Sequence, residues 1–183
     1  MIDNYDSFVH NLVDYIRQEG GEVDVVPNDR LTGISIEDYD AVVISPGPGN
    51  PANPWDRGQI AELFDELRSK KLLGICFGHQ ILAMLLGSQI TVSGRIYHGE
   101  VDRIRNDGYG VFNGIPEHFN VARYHSLVVE PSGSVIVDAV SETDGSVMAF
   151  HSSDGKIIGL QFHPESFYSE FGHEILRNFL VMP

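Results

Sequence analysis

Uninterrupted apolar runs alternate with helical segments over the first ninety residues, and this alternation restricts the possible folds more than any other feature. Residues 7–19 carry apolar side chains at helical spacing and end at two glycines. Apolar runs follow at 23–26 and 41–44, a second helical segment at 59–68, and another run at 72–76. Such continuous runs are typical of strands that are covered on both faces. The alternation therefore predicts an α/β fold in which helices cover a parallel sheet.

The pattern changes after a further helical segment at 79–86. Short strand candidates, separated by Gly, Pro, Asn and Asp, replace the alternation, and a final helix is predicted at 169–180. We therefore expect a flavodoxin-like open, mostly parallel sheet with helices on both faces and additional antiparallel edge strands. No repeat or linker interrupts the 183 residues, so we expect 1–183 to form a single domain. The late strand candidates are 90–92, 95–97, 101–104, 120–124, 135–140, 147–150 and 157–162.

Charge and cysteine content exclude several classes of function. The 26 acidic and 12 basic residues give a net charge of -14, so the protein should repel nucleic acid and anionic lipid. The longest apolar stretch, 81–86, is too short to span a membrane, and the first residues do not resemble a signal peptide. We therefore expect a cytoplasmic protein. A lone cysteine excludes an internal disulfide and is either a packing residue or a reactive thiol.

That cysteine lies in the sequence Gly74-Ile75-Cys76-Phe77-Gly78, between a predicted strand and a predicted helix. Serine hydrolases place their nucleophile on a similar sharp turn, where glycines allow the close approach of neighbouring backbone. The positive end of the following helix favours a thiolate at Cys76, and the Phe77 N–H is placed to stabilise an oxyanion. The alternative is that Cys76 is a small buried residue at the end of a core strand.

A candidate base lies far downstream in the sequence His163-Pro164-Glu165. Residues two apart in an extended chain point to the same face, so Glu165 is expected beside the His163 ring. A carboxylate there fixes the tautomer of the imidazole and stabilises its protonated form. Taken alone, the segment also fits a surface turn. Together with Cys76 it predicts a nucleophile, a base and an orienting acid.

Two of these segments, GICFGHQ at 74–80 and QFHPES at 161–166, together resemble the signatures of class I glutamine amidotransferases. Within that class, the chain is most similar to the glutaminase component of anthranilate synthase or of aminodeoxychorismate synthase. The resemblance extends over essentially the whole chain. Further matching segments are IDNYDSF at 2–8, SPGPG at 45–49, HG at 98–99 and RYHSL at 123–127.

The resemblance implies a role for each matching residue. Cys76 is the nucleophile, His163 the base and Glu165 the orienting acid, which agrees with the interpretation from the residues alone. The N–H groups of Gly49 and Phe77 form the oxyanion hole. The implied glutamine pocket consists of Gly47, Pro48, Gly49, Gln80, Ser126 and Leu127.

The resemblance also implies partners and cofactors. The chain would release ammonia from L-glutamine and pass it to a chorismate-binding synthase subunit in a hetero-oligomer. The synthase would form anthranilate for tryptophan, or aminodeoxychorismate for folate, and one glutaminase could serve both. No metal or organic cofactor is expected in this chain, whereas the synthase would use Mg. The expected coupling surfaces are residues 4–8 and the region around His98.

Two features depart from the family pattern. Relatives usually have several apolar residues before Ile-Asp-Asn-Tyr-Asp, whereas this chain starts at Met1-Ile2, which predicts a very short first strand. Relatives commonly have lysine after His-Gly, but here Glu100 follows Gly99, which reverses the charge near the expected interface.

Two other classes of function remain open from the residues alone. In a ligand-binding module, loops at the carboxyl edge of the sheet would hold a small molecule. Against this, the acidic segment 3–7 has none of the glycines of a phosphate-binding loop. In a stand-alone cysteine hydrolase, the same three residues would act on other γ-glutamyl compounds.

Overall fold

The structure is a computed structural model that describes residues 1–182. Its main sheet has nine strands, and two further strands form a separate ribbon. The strands are β1 Ile2–Asp3, β2 Val26–Pro27, β3 Ala41–Ile44, β4 Lys71–Ile75, β5 Gln89–Val92, β6 Glu100–Asn106, β7 His118–Arg123, β8 Leu127–Glu130, β9 Val135–Ser141, β10 Val147–Ser152 and β11 Ile157–Leu160. The α-helices are α1 Val9–Gln18, α2 Pro54–Arg57, α3 Phe64–Leu67, α4 Phe77–Leu85 and α5 Gly172–Val181.

The main sheet has the strand order β2-β1-β3-β4-β11-β10-β9-β6-β7. Strands β2, β1, β3, β4 and β11 pair in parallel. The remaining four strands pair antiparallel, starting at the contact between β11 and β10. The fold class is therefore confirmed: a mostly parallel α/β half is extended at one side by antiparallel strands.

Alternate residues of the central strands contribute to two separate hydrophobic cores. Val43 packs with α1 and α5 on one face of the sheet, whereas Val42 and Ile44 pack with α3 and α4 on the other. Helix α1 faces the sheet with Leu12 and Ile16, which are almost completely buried. Because both faces are covered, the central strands carry the continuous apolar runs that the sequence shows.

The single helix predicted at 59–68 is wrong. Gly58 has φ +56°, and the segment continues as turns until α3 begins at Phe64. The Gln59 side chain, instead of pointing to solvent from a helix, accepts hydrogen bonds from the Leu31 N–H at 2.7 Å and the Thr32 N–H at 3.0 Å. Contacts with a loop nearly thirty residues earlier therefore replace the helix.

Three strand predictions also differ from the structure. Only Val26 of the run 23–26 lies in a strand, because the two-residue β1 offers it a short partner. Residues 95–97 form no strand, although the Tyr97 N–H donates to the His125 carbonyl at 3.0 Å. Strand β8 was not predicted, and it pairs antiparallel with β5 to form the separate ribbon.

No helix within residues 1–182 has both the length and the apolar character needed to cross a membrane.

Candidate active site

The central strands β4 and β11 are neighbours, so their carboxyl ends lie side by side. Gly74 pairs with Gly159 and Ile75 with Leu160 in a parallel register. The pairing continues one residue further, since the Cys76 N–H donates to the Leu160 carbonyl at 2.7 Å. The sheet therefore brings the residues that follow Leu160 next to Cys76, although they are far apart in sequence.

Cys76 occupies a strained turn between β4 and α4. Its φ of +51° and ψ of -98° are unusual for a residue with a side chain. The flanking glycines are required sterically: a Cβ on Gly74 would lie 2.5 Å from the Gly78 carbonyl carbon, and one on Gly78 would lie 2.3 Å from the Ile44 oxygen. The glycine-flanked turn expected from the sequence is present.

The start of α4 presents free backbone donors beside the cysteine. The first rung of the helix is the Gln80 N–H, which donates to the Cys76 carbonyl at 3.1 Å. The Phe77 N–H precedes that rung and has no partner in the helical ladder. These donors and the positive end of the helix dipole favour negative charge at this position.

His163 and Glu165 form a buried pair. The His163 Nδ1 lies 2.6 Å from the Glu165 Oε1, and the side chains are 4% and 0% exposed. The His163 Nε2 is buried and makes no hydrogen bond within residues 1–182. Burial alone would lower the pKa of His163, but the negative charges of Cys76 and Glu165 raise this pKa well above 6.5. The arrangement suits an imidazolium that faces a thiolate.

The turn that carries His163 is fixed by β7 and by the chain before α5. The His163 N–H donates to the Ala122 carbonyl at 3.2 Å, and the Ser169 hydroxyl donates to the His163 carbonyl at 2.6 Å. The Tyr124 ring packs edge-on against the imidazole with centroids 5.0 Å apart, and the Phe8 ring does so at 5.9 Å. The imidazole is therefore held by aromatic packing as well as by Glu165.

The loop that contains Gly47 and Gly49 faces Cys76 from the end of β3. Gly49 has φ +107°, and a Cβ there would lie 2.5 Å from the Asp56 Oδ2. A Cβ on Gly47 would lie 2.5 Å from that of Asn4, whose side-chain amide donates to the Ser45 carbonyl at 2.8 Å. The loop is thus packed against the expected coupling segment 4–8.

A cavity of about 180 Å³ opens between these elements. All of the residues that the sequence assigned to the oxyanion hole and the glutamine pocket line it, together with Cys76. Their roles in binding stay predictions. Tyr124 and His125, which had no predicted role, complete the wall. The lining residues are Gly47, Pro48, Gly49, Cys76, Phe77, Gln80, Tyr124, His125, Ser126 and Leu127.

Two larger clefts, of about 570 and 670 Å³, lie elsewhere on the molecule. Among the described residues, neither is lined by a cysteine or a histidine. No group of three or more histidine, cysteine or carboxylate side chains suited to a metal ion occurs in 1–182. Of these three cavities, the one of about 180 Å³ is therefore the one beside the cysteine thiol.

Gln161 is a site residue that received no role from the sequence. Its amide Nε2 lies 3.7 Å from the Cys76 Sγ, and its Oε1 accepts from the Gln80 Nε2 at 3.1 Å. The sequence contains a pattern that indicates this position: Gln161 precedes His163 by two residues, and residues two apart in an extended chain share a face.

A buried cation beneath the pocket was also missed. Arg123 is fully buried, and its guanidinium contacts Asp102 at 2.6 Å and Asp144 at 3.0 Å. Its Nε donates to the His125 Nε2 at 3.1 Å, so the His125 Nδ1 carries the proton and donates to the Leu127 carbonyl at 2.9 Å. Arg123 thereby fixes one wall of the cavity.

Comparison with known proteins gives a family for this arrangement. The family model described as "Glutamine amidotransferase class-I" matches residues 1–182. A relative from Saccharolobus solfataricus, named "Anthranilate synthase component 2", is 39% identical over 98% of this chain and 96% of its own length. A relative from Bacillus subtilis, named "Aminodeoxychorismate/anthranilate synthase component 2", is also 39% identical, over 98% of this chain and 94% of its own.

The fold has a close counterpart among solved structures. A protein from Thermoplasma acidophilum, described as a putative GMP synthase component, superimposes with a TM-score of 0.85. It is 25% identical, and the match covers 98% of this chain and 89% of that one. The fold of this chain is therefore shared with a solved structure.

Proposed function

Since this chain belongs to the class I glutamine amidotransferases, we propose that it is the glutaminase subunit of a chorismate-using synthase, with Cys76 as its nucleophile. The observation that carries the proposal is the position of Cys76 at the head of α4, bonded through its N–H to Leu160, from which the chain leads directly to the buried His163–Glu165 pair. A thiolate in that position needs a proton donor and acceptor within reach, and His163 has a free Nε2 for the purpose.

In the first half-reaction, the Cys76 thiolate attacks the carbon of the glutamine side-chain carboxamide. The Phe77 and Gly49 N–H groups donate to the oxyanion that forms on the carboxamide oxygen. The C–N bond then breaks, and the His163 imidazolium gives its proton to the departing nitrogen. The products of this step are ammonia and a γ-glutamyl thioester on Cys76.

In the second half-reaction, neutral His163 takes a proton from a water molecule, which attacks the thioester carbon. The S–C bond breaks, glutamate leaves, and the thiolate and imidazolium pair is restored. Glu165 keeps the Nδ1 proton in place and stabilises the imidazolium in both halves. We propose that neither step uses a metal or an organic cofactor. The use of Mg by the synthase stays a prediction.

The proposed partner is a synthase that makes anthranilate, and aminodeoxychorismate is the second candidate product. The names of the relatives support both, and the name of the Bacillus subtilis relative includes the two products together. Because the reaction needs Cys76 as a free thiol, we place the enzyme in the reducing cytoplasm.

Aromatic contacts support the two proposed coupling surfaces. Phe8, in the segment 4–8, and His98 both contact the ring of Tyr124, at centroid distances of 5.9 and 6.0 Å. Tyr124 in turn packs on the His163 imidazole. A synthase bound at either surface would therefore act on the base through a single side chain.

Glu100, which reverses the usual charge near this interface, forms an ion pair with Arg95. Both side chains are partly exposed. We therefore propose that Arg95 compensates the charge reversal locally, so that a synthase meets a pair of opposite charges instead of an isolated carboxylate.

The test is ammonia release from glutamine by the purified chain, alone and with either type of synthase. Glutamine-dependent ammonia that rises with an anthranilate-forming synthase supports the proposal. A rise only with an aminodeoxychorismate-forming synthase supports the second candidate. Hydrolysis of other γ-glutamyl amides at equal rates without a partner, or no hydrolysis under any condition, would overturn it.

A further inference from the structure

The side chain of Gln161 ends at the sulfur of Cys76. Its Nε2 lies 3.7 Å from the Sγ, a distance typical of an N–H donor to sulfur, and Gln161 is completely buried. We propose that Gln161 is a further catalytic residue, whose amide N–H donates to the Cys76 sulfur and stabilises the thiolate. This role rests on the proposed function, because it presupposes that the thiolate is the reacting form.

The orientation of the Gln161 amide follows from its neighbour Gln80. The Gln80 Nε2 donates to the Leu127 carbonyl at 3.2 Å, and a carbonyl only accepts, so this atom must be the nitrogen. The same nitrogen lies 3.1 Å from the Gln161 amide and must meet its oxygen. The NH₂ group of Gln161 is therefore the end that faces the sulfur, with no other assignment consistent with both contacts.

The backbone also fixes Gln161 in this position. Its N–H donates to the Met148 carbonyl of β10 at 2.9 Å, one residue beyond the end of β11. The Cys76 N–H donates to the Leu160 carbonyl, so it is not available to donate to the sulfur. Two side chains therefore stabilise the thiolate. The His163 imidazolium also transfers a proton during the reaction, whereas the Gln161 amide donates a hydrogen bond without losing its proton.

The hydrogen bond would act at two points of the reaction. It favours the thiolate before attack, because a hydrogen bond to a charged acceptor is stronger than one to a neutral thiol. During hydrolysis of the thioester, the S–C bond breaks and its electron pair returns to sulfur. The Gln161 N–H then stabilises the charge that develops on the leaving sulfur. No proton leaves the amide in either step.

The test compares variants at position 161 by the rate at which iodoacetamide alkylates Cys76, measured from pH 5 to pH 9. Gln161→Met keeps the length of the side chain and removes the donor, so alkylation at neutral pH should fall about tenfold, the size expected for one hydrogen bond to a charged group. Gln161→Glu places a carboxylate beside the sulfur, so the midpoint of the pH profile should move upward by more than one unit. Gln89→Glu, at an exposed position of β5, controls for the added charge and should match wild type.

A fall in glutaminase kcat with a shifted alkylation profile supports the role of Gln161. The role is overturned if Gln161→Glu, shown to be folded by its thermal unfolding, alkylates with the wild-type profile. If both variants at position 161 keep the wild-type alkylation profile, and wild type hydrolyses glutamine with full activity, Gln161 has no catalytic role and the proposed function still stands. If the profiles of the variants shift but wild type hydrolyses no glutamine, with or without a synthase, the proposed function is overturned instead.

Discussion

The Glu165 carboxylate accepts a hydrogen bond from the His163 Nδ1 at 2.6 Å, and water reaches almost none of either side chain. A buried carboxylate in this position has one hydrogen-bonding task, which is to hold the imidazole in the tautomer whose Nε2 faces Cys76. The pair therefore connects a residue remote from the substrate to the protonation state of the base.

Glu165→Gln should remove both the negative charge beside His163 and the tautomer that the carboxylate imposes on the imidazole. The amide keeps the shape of the carboxylate, but its NH₂ donates to Nδ1 and imposes the opposite tautomer. We expect kcat for glutamine hydrolysis to fall about 10⁴-fold, as for the equivalent change in a serine protease triad. Steady-state ammonia release measures this. Glu174→Gln, at an exposed position of α5, is the control, and equal activity in the two variants would contradict the orienting role.

Asp102→Asn should destabilise the fold, because it leaves the buried Arg123 without its closest counter-ion. Removing one partner of a buried pair costs about 3–5 kcal/mol in the free energy of unfolding. Asp65→Asn is the matched control, since Asp65 pairs with Arg68 at the surface and its side chain is 97% exposed. That change should cost less than about 1 kcal/mol. Urea unfolding distinguishes the two, and equal losses would show that the buried pair has no special importance.

The stability should depend on pH through two buried histidines. Burial lowers the pKa of His79 from 6.5 to about 3, and burial followed by the Arg123 charge lowers the pKa of His125 to about 4. As the pH falls, the unfolded chain takes up these protons first. The contribution of the two neutral histidines to the unfolding free energy is therefore complete above pH 6.5, and it is lost as the pH falls toward 4 and then 3. Protonation on acidification should cost about 5 kcal/mol of unfolding free energy for His79 and about 3 kcal/mol for His125.

His79→Leu should therefore flatten the dependence of the unfolding free energy on pH between 6.5 and 4. Chemical denaturation at several pH values measures the slope. His10→Leu removes a histidine at an exposed position of α1 and should leave the slope unchanged. A His79→Leu slope equal to that of wild type would contradict the interpretation that this histidine stays neutral in the folded protein.

Phe167→Ala should weaken binding of the synthase. Phe167 and Tyr168 follow the catalytic turn and are 93% and 58% exposed, and exposed aromatic side chains of this kind often dominate an interface. We expect at least an about tenfold loss of affinity by calorimetry, with little change in hydrolysis by the isolated chain. Val181→Ala should bind as wild type does, because Val181 lies at the end of α5, next to Met182, whose carbonyl contacts Lys71 at the amino end of β4. Unchanged affinity in Phe167→Ala would exclude Phe167 from the interface and leave the proposed surfaces at 4–8 and around His98 as the contact region.

Much of the fold could be predicted from the sequence, because local patterns and tertiary packing agree. The run 41–44 coincides with β3 since it is apolar on both faces, and the helix after Cys76 was predicted within two residues at its start. The segment 59–68 was predicted incorrectly because its own pattern is helical, while Gly58 and the side-chain contacts of Gln59 with a distant loop decide its conformation.

The site was predictable where the residues belong to recognisable motifs and not where they depend on distant partners. Cys76, His163 and Glu165 stand out through glycine, proline and period-two spacing. The burial of Arg123 could not be predicted, since its counter-ions Asp102 and Asp144 each lie 21 residues away in sequence. Gln161 has a role only because Gln80, in another element, fixes its amide.

The central claim is that Cys76 becomes acylated during glutamine hydrolysis, and rapid acid quenching followed by mass spectrometry of peptides tests it most directly. With glutamine and the synthase present, the peptide that contains Cys76 should carry one γ-glutamyl group in wild type. Cys76→Ala should show no such adduct and should lose roughly a million-fold in rate, as other triads do. Ammonia release by Cys76→Ala at the wild-type rate, or a glutamyl group on any other residue, would contradict the claim.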